Sequence, residues 1–165
     1  MTTTPITGGC QCGAVRYRVV GLLTHPHICH CRMCQKAAGN YFMPLANAQK
    51  HEFHATRGEI AWFASCDPVR RGFCRDCGTP LIIDTLSSAH LNIMLGSLDD
   101  PAAIEPAGQY GLESKMPWFG KLDSMPGAAT EADPEQDGVP LETIRETNHQ
   151  HPDHDTEDWP PKGRA

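Results

Sequence analysis

A chain of 165 residues with 39% hydrophobic content and a mean hydropathy of −0.42 has room for one domain with an appendage, and its core would benefit from staples such as structural metal. The formal charge of −6 is unevenly placed: residues 128–165 hold ten Asp/Glu against three Lys/Arg, whereas the first 127 residues hold ten against eleven, so the body is near neutral and predicts no nucleic-acid surface. No apolar run approaches the roughly 18 residues of a membrane span, and residues 1–9 have neither a basic nor an apolar signal region, so neither membrane insertion nor secretion is expected.

In chain order, Gly8-Gly9 and Gly13 surround Cys10 and Cys12 with the permissive backbone of a tight turn. Residues 14–20 then alternate apolar and polar, placing Val15, Tyr17 and Val19 on one face of a half-buried strand. The first cysteine pair therefore sits on a turn that opens a hairpin. His27-Ile28-Cys29 starts as strand, and residues 34–38 predict one helical turn stopped by Gly39-Asn40. Residues 41–45 and 59–64 are strand candidates; residues 69–73 lead into Cys74, and Gly78-Thr79-Pro80 closes that turn. Residues 81–84 and 91–95 read as two paired core strands. Many short strands with Gly/Pro punctuation predict a mainly β, mostly antiparallel fold.

From Gly127 onward the chain is rich in Pro, Asp, Glu and Thr, and it predicts a tail that is disordered or draped over the surface, with one helical turn at residues 140–145. The expected organisation is a domain over residues 1–127 and an acidic, His/Pro-rich, largely irregular tail over 128–165. No internal repeat at solenoid periods is present.

Seven of the eight cysteines fall in three clusters: Cys10-Gln11-Cys12, Cys29-His30-Cys31-Arg32-Met33-Cys34 and Cys74-Arg75-Asp76-Cys77. A disulfide framework needs an oxidising compartment; without a signal region, a reduced, cytoplasmic, metal-binding chain is expected. Cys10, Cys12, Cys74 and Cys77 form two short-spaced pairs on Gly-bearing turns, the pattern of a closed, structural four-thiolate zinc site. Cys29, Cys31 and Cys34 remain as a triplet. His30 lies between two of them and on an extended strand points to the opposite face, which makes it a poor fourth ligand. Three readings of the triplet stay open: an open zinc site that takes water or a substrate thiol; a second structural site completed by His25, His27 or Cys66; and a metal-free redox trio with Cys31 and Cys34 as a dithiol.

The stretch from Gly8 to Tyr17, the Cys29–Cys34 cluster and the stretch from Arg71 to Leu81 together resemble the glutathione-dependent formaldehyde-activating enzyme family, also called the GFA or CENP-V domain. Ser97-Leu98-Asp99-Asp100-Pro101 and Ser114-Lys115-Met116-Pro117-Trp118 resemble the family's later segments, and the resemblance covers residues 5–127. It implies a zinc-bearing, Mss4-like (β-tent) architecture with antiparallel sheets and few short helices. It implies a structural zinc at Cys10, Cys12, Cys74 and Cys77 and a second, catalytic zinc at Cys29, Cys31 and Cys34. It further implies a carbon–sulfur lyase acting on the adduct of glutathione, or another thiol, with a small aldehyde such as formaldehyde. The partners would be a small-molecule thiol and an aldehyde. Gln109-Tyr110 departs from the His and apolar residue that many members carry there. The competing reading is a non-catalytic zinc module that binds thiols or a protein.

Several further residues carry expectations. Arg70 and Arg71 read as solvated surface charges, with carboxylate binding as the alternative. Lys36, Gly39 and Asn40 flank the triplet and either line a pocket or end a helix. Trp62 is expected in the core, Trp118 at the edge of the site, and Cys66 as an inert core or loop thiol. His149, His151 and His154 with Asp153 and Asp155 read as a solvated acidic tract with free imidazoles, or as a loose metal site.

Overall fold

The computed structural model describes residues 4–160. The start of the segment expected to carry no secretory signal, and the last five residues of the tail, lie outside the described residues. The strands are β1 Ile6–Gly9, β2 Arg16–Val19, β3 Thr24–Cys29, β4 Met43–Gln49, β5 Phe53–Arg57, β6 Ala61–Cys66, β7 Val69–Phe73, β8 Pro80–Thr85, β9 His90–Met94, β10 Gly108–Tyr110, β11 Glu135–Gln136 and β12 Val139–Pro140. Two short α-helices, α1 Arg32–Ala38 and α2 Leu141–Thr147, complete the set with several short 3₁₀ segments. The expectation of a mainly β chain with few short helices holds.

The large sheet runs β10-β3-β4-β9-β8-β7-β6, and a smaller one runs β1-β2-β5. All pairings are antiparallel except β10 with β3. The two sheets enclose the main core: Val15, Tyr17 and Val19 meet Ala46, Ala48, Leu81, Ile82, Leu91 and Ile93. Tyr17 is fully buried, its hydroxyl shares a 2.7 Å hydrogen bond with Ser97 Oγ, and burial pushes its phenol pKa up. The opposite face of the large sheet carries Met43, Leu45, Ile83 and Met94, against which α1 lays Cys34. Strands β8 and β9 are thus covered on both faces, which is why residues 81–83 read as an unbroken apolar run. Helix α1 starts two residues before the expected turn and stops at Gly39, whose φ of +60° is the left-handed helix end that glycine tolerates best.

The polar side of β2 departs from simple alternation. Arg16, expected to face solvent, is only 3% exposed. Its Nη1 and Nη2 donate to the two carboxylate oxygens of Asp99 at 2.7 and 2.5 Å, and its Nε donates to Asp155 Oδ1 at 2.9 Å. A guanidinium can be buried when a bidentate carboxylate satisfies it. Burial alone would raise Asp99, but the bonds from Arg16 and Thr7 hold it below the ordinary carboxylate value. Asp84 behaves likewise: burial opposes ionisation, and Lys50 and Arg70, each 2.7–2.8 Å away, hold its pKa down.

Both carboxylates titrate lower folded than unfolded, so their contribution is complete above the unfolded pKa near 4 and is lost as pH falls through the folded value. The carboxylates' share of thermal stability should therefore be nearly constant from pH 7 to 5 and drop below about pH 4. Asp99→Asn, which leaves Arg16 buried beside a neutral amide, should cost about 3 kcal/mol at pH 7 and flatten part of that acid-side drop.

The tail is draped, not solvated throughout. His151 is buried, in contrast to the free imidazole expected there, and its backbone N–H donates to the Gln11 carbonyl at 2.7 Å. Burial holds the His151 pKa below its usual value. Arg57 bonds the Thr156 carbonyl, and Trp159 Nε1 donates to the Cys12 carbonyl at 2.7 Å. Gly13, at φ +81°, lies directly under the His151 ring, where any Cβ would collide. His149 and His154 remain exposed. Deleting residues 148–165 removes these contacts and should lower Tm by roughly 5–10 °C, about 2–3 kcal/mol for a chain of this length, when followed by circular dichroism.

Candidate metal centres and the adjoining cavity

The seven clustered cysteines collect as four and three. Cys10 and Cys12 sit on the turn between β1 and β2, and Cys74 and Cys77 on the turn between β7 and β8; their four sulfurs lie within 4.8 Å of one another. Each turn is built the same way. Cys10 N–H donates to the Val15 carbonyl at 3.0 Å and Gly13 N–H to the Cys10 carbonyl at 3.0 Å; Cys74 N–H donates to the Thr79 carbonyl at 2.9 Å and Gly78 N–H to the Cys74 carbonyl at 3.0 Å. Gly78, at φ +77°, plays the part that Gly13 plays in the first turn. Val15 N–H donates to Cys10 Sγ at 3.2 Å, the kind of bond that favours a thiolate.

The sulfur spacing tests whether an ion fits. Cys10 and Cys12 are 3.6 Å apart and Cys12 and Cys74 are 3.9 Å apart. The edge of a tetrahedron with metal–sulfur bonds of about 2.3 Å is about 3.8 Å, so the four thiols fit a tetrahedral thiophilic ion. The same distances exclude disulfides, whose sulfurs are about 2.05 Å apart. Burial would raise all four thiols. At Cys77, bonds from Thr79 overcome that and hold the pKa down to about 6, whereas burial takes Cys74 up to about 11. Cys10 and Cys12 are raised by burial as well.

The triplet comes from the end of β3 and the start of α1. Cys29, Cys31 and Cys34 hold their sulfurs within 4.8 Å, and among the described residues no fourth His, Cys, Asp or Glu atom joins them. His30 points away, as its place between Cys29 and Cys31 on an extended strand predicted. It is fully buried, packs edge-on against Phe119 at 4.9 Å, and its Nε2 lies 3.1 Å from Gln109 Oε1. His27 is turned to Tyr110, with its Nδ1 2.7 Å from the His25 carbonyl, so neither His25 nor His27 joins the group. Cys66 is exposed at the end of β6, so it is neither a core nor a loop thiol and not a ligand.

Arg71 corrects the expectation of a solvated surface charge. Half-buried on β7, it points Nη2 at Cys34 Sγ (3.7 Å) and Nη1 at Met43 Sδ (3.6 Å), while Nε donates to Ser65 Oγ at 3.1 Å. Burial pushes Cys34 up to about 12 even beside this guanidinium. At Cys31, burial is outweighed by backbone and thiol hydrogen bonds that lower its pKa; burial raises Cys29. A bound cation would override these metal-free tendencies by deprotonating the thiols outright. Arg70 pairs with Asp84 and lies 4.0 Å over Trp62, so Trp62 is a half-exposed platform and not a core residue. Trp118 packs edge-on against Tyr41 at 4.6 Å, on a half-buried apolar patch with Phe42 and Phe119.

Beside Arg71 a cavity of about 410 Å³ opens between α1 and the sheet, lined chiefly by Met33, Met43, Phe63, Phe73, Ile82 and Met94, with Lys36, Ser65 and Arg71 as its polar groups. Gly39 and Asn40 do not line it; they end the helix, Asn40 Oδ1 accepting from Tyr41 N–H at 2.6 Å. Sequence reasoning had no signal for the cavity, because its walls come from six separate elements.

A Halomonas elongata protein described as "Putative glutathione-dependent formaldehyde-activating enzyme" is 34% identical over 84 residues, covering 46% of this chain and 54% of that protein. The chain thus spans about half the length of this curated relative. The crystal structure of a Rhodobacter sphaeroides protein superposes with a TM-score of 0.50 at 20% identity, covering 63% of this chain and 98% of that one, a likeness of fold alone. Residues 5–113, which contain all seven clustered cysteines, match the family described as "Glutathione-dependent formaldehyde-activating enzyme", and the chain belongs to that family.

Proposed function

We propose that this chain is a zinc-dependent carbon–sulfur lyase that makes and breaks the adduct of a small-molecule thiol, glutathione by family likeness, with an aldehyde such as formaldehyde. The single observation that carries the reading is the incomplete ligand set: three thiols converge, no fourth protein ligand joins them among the described residues, and Arg71 links Cys34 to the cavity. Cys10, Cys12, Cys74 and Cys77 would hold one zinc and staple the β1–β2 turn to the β7–β8 turn. Cys29, Cys31 and Cys34 would hold the second, and a three-thiolate zinc supplies an open position that stabilises a substrate thiolate at neutral pH.

The chain's own groups do the rest. Arg71 places a fixed positive charge next to Cys34, where negative charge gathers. Met43 and Met94 wall the adjoining face with apolar surface and limit water. In the synthetic direction the sulfur–carbon bond forms and the thiol proton ends on the carbonyl oxygen; no electrons leave the pair. We assign residues 1–127 to the working domain and 128–165 to a tail laid over its first metal turn. The eight unbridged thiols suit a reducing, cytoplasmic compartment. No helix among the described residues is long and apolar enough to cross a membrane.

The test is exchange NMR on glutathione with labelled formaldehyde. Acceleration of adduct exchange by the zinc-loaded protein is expected. No acceleration over the protein-free rate, with formaldehyde or larger aldehydes, would leave only the thiol-binding module.

A further inference from the structure

The cavity beside the triplet is much larger than a one-carbon aldehyde requires. At about 410 Å³ it falls within the range of sites for drug-sized ligands. Its wall is dominated by methionine, phenylalanine and isoleucine, and Met33, Met43 and Met94 form an adaptable apolar lining. No acidic residue lines it, so the ammonium of glutathione would find no anionic partner there. Its two charged groups are both cations, Lys36 and Arg71, and neither forms an ion pair among the described residues. Arg71 spends one donor on the Ser65 hydroxyl and aims its two Nη atoms only at the sulfurs of Met43 and Cys34. A guanidinium whose one oxygen partner is a hydroxyl, at a cavity edge, keeps donor capacity for a carboxylate while it faces Cys34.

Resting on the lyase reading, we infer that the carbonyl half of the natural substrate is a 2-oxo acid with an apolar side chain. Its carboxylate would sit on Arg71 with Lys36 near the mouth, and its side chain would fill the methionine-lined cavity. Arg71 Nη2 lies 3.7 Å from Cys34 Sγ, so a carboxylate held on Arg71 would lie close to the triplet, which favours an acid whose carboxylate adjoins its carbonyl carbon. Addition of the thiol to C2 forms the sulfur–carbon bond, moves the thiol proton to the C2 oxygen and gives a hemithioketal; the lyase direction reverses both.

Binding of 4-methyl-2-oxopentanoate and of its neutral amide to the zinc-loaded full chain, measured by calorimetry without added thiol, tests the inference independently of turnover. The acid should bind at least about tenfold more tightly than the amide. Arg71→Gln should weaken the acid by about tenfold and leave the amide unchanged. Lys36→Gln, on the exposed face of α1, should weaken the acid by about threefold, and it supplies the readout if the Arg71 variant does not fold. Equal binding of acid and amide, no response to either variant, or no binding of the acid overturns the inference. Acid binding without thiol exchange would sink the lyase reading instead, and formaldehyde exchange without acid binding would sink only this one.

Discussion

Replacing Cys74 with alanine is expected to unfold the domain. Cys74 is 1% exposed and packs in the main core with Cys10, Leu81 and Ile82. Its sulfur lies 3.9 Å from that of Cys12, so it links the turn of the small sheet to the turn of the large one across 62 residues. Structural zinc in small domains contributes about 10–16 kcal/mol of apparent binding energy, as much as the whole stability of an ordinary domain, which is about 5–15 kcal/mol. Three remaining thiolates would hold the ion far more weakly, and removal of the sulfur also leaves a core void. The Cys74→Ala protein should lose its cooperative thermal transition and its dispersed amide spectrum. A folded variant with Tm within a few degrees of the parent would show that the four sulfurs do not staple the fold.

The second large effect is the opposite in kind: Cys31→Ser should leave the fold intact and abolish adduct exchange. Cys31 is half-buried at the start of α1 and lies outside the main core. The surrounding scaffold, β3 paired to β4 and α1 closed by Gly39, does not depend on its sulfur. Tm should shift by no more than about 1 kcal/mol equivalent. Exchange should fall by at least about a thousandfold, because two thiolates do not preserve the charge and geometry of a three-thiolate ion. Full activity in Cys31→Ser would remove the triplet from the chemistry.

The pairing of these outcomes follows from how the chain spreads its information. The grouping of the cysteines was legible because short spacing on glycine-bearing turns is local: Cys10-Gln11-Cys12 and Cys74-Arg75-Asp76-Cys77 each announce a turn by themselves. Val15, Tyr17 and Val19 were legible through strand alternation, and residues 81–83 through their unbroken apolar run. Arg16 was not, because the carboxylate that permits its burial is Asp99, 83 residues away. Arg71 was not, because nothing in its neighbourhood in sequence places it beside Cys34, on an element 37 residues earlier. Strand β10 is three exposed residues without apolar alternation, and only its pairing with β3 makes it a strand. His151 reads as one imidazole in a polar tract, and its burial comes from the fit of its ring over Gly13, a residue with no side chain to signal the contact.

The measurement that bears most directly on the division into four and three is metal counting by native mass spectrometry during chelation, on the parent and on a variant with Cys29, Cys31 and Cys34 all changed to serine. The parent should carry two zinc ions per chain, one lost quickly and one retained until unfolding; the triple variant should stay folded and carry the slow ion alone. A parent with a single ion, or a triple variant that unfolds or loses both, would contradict it.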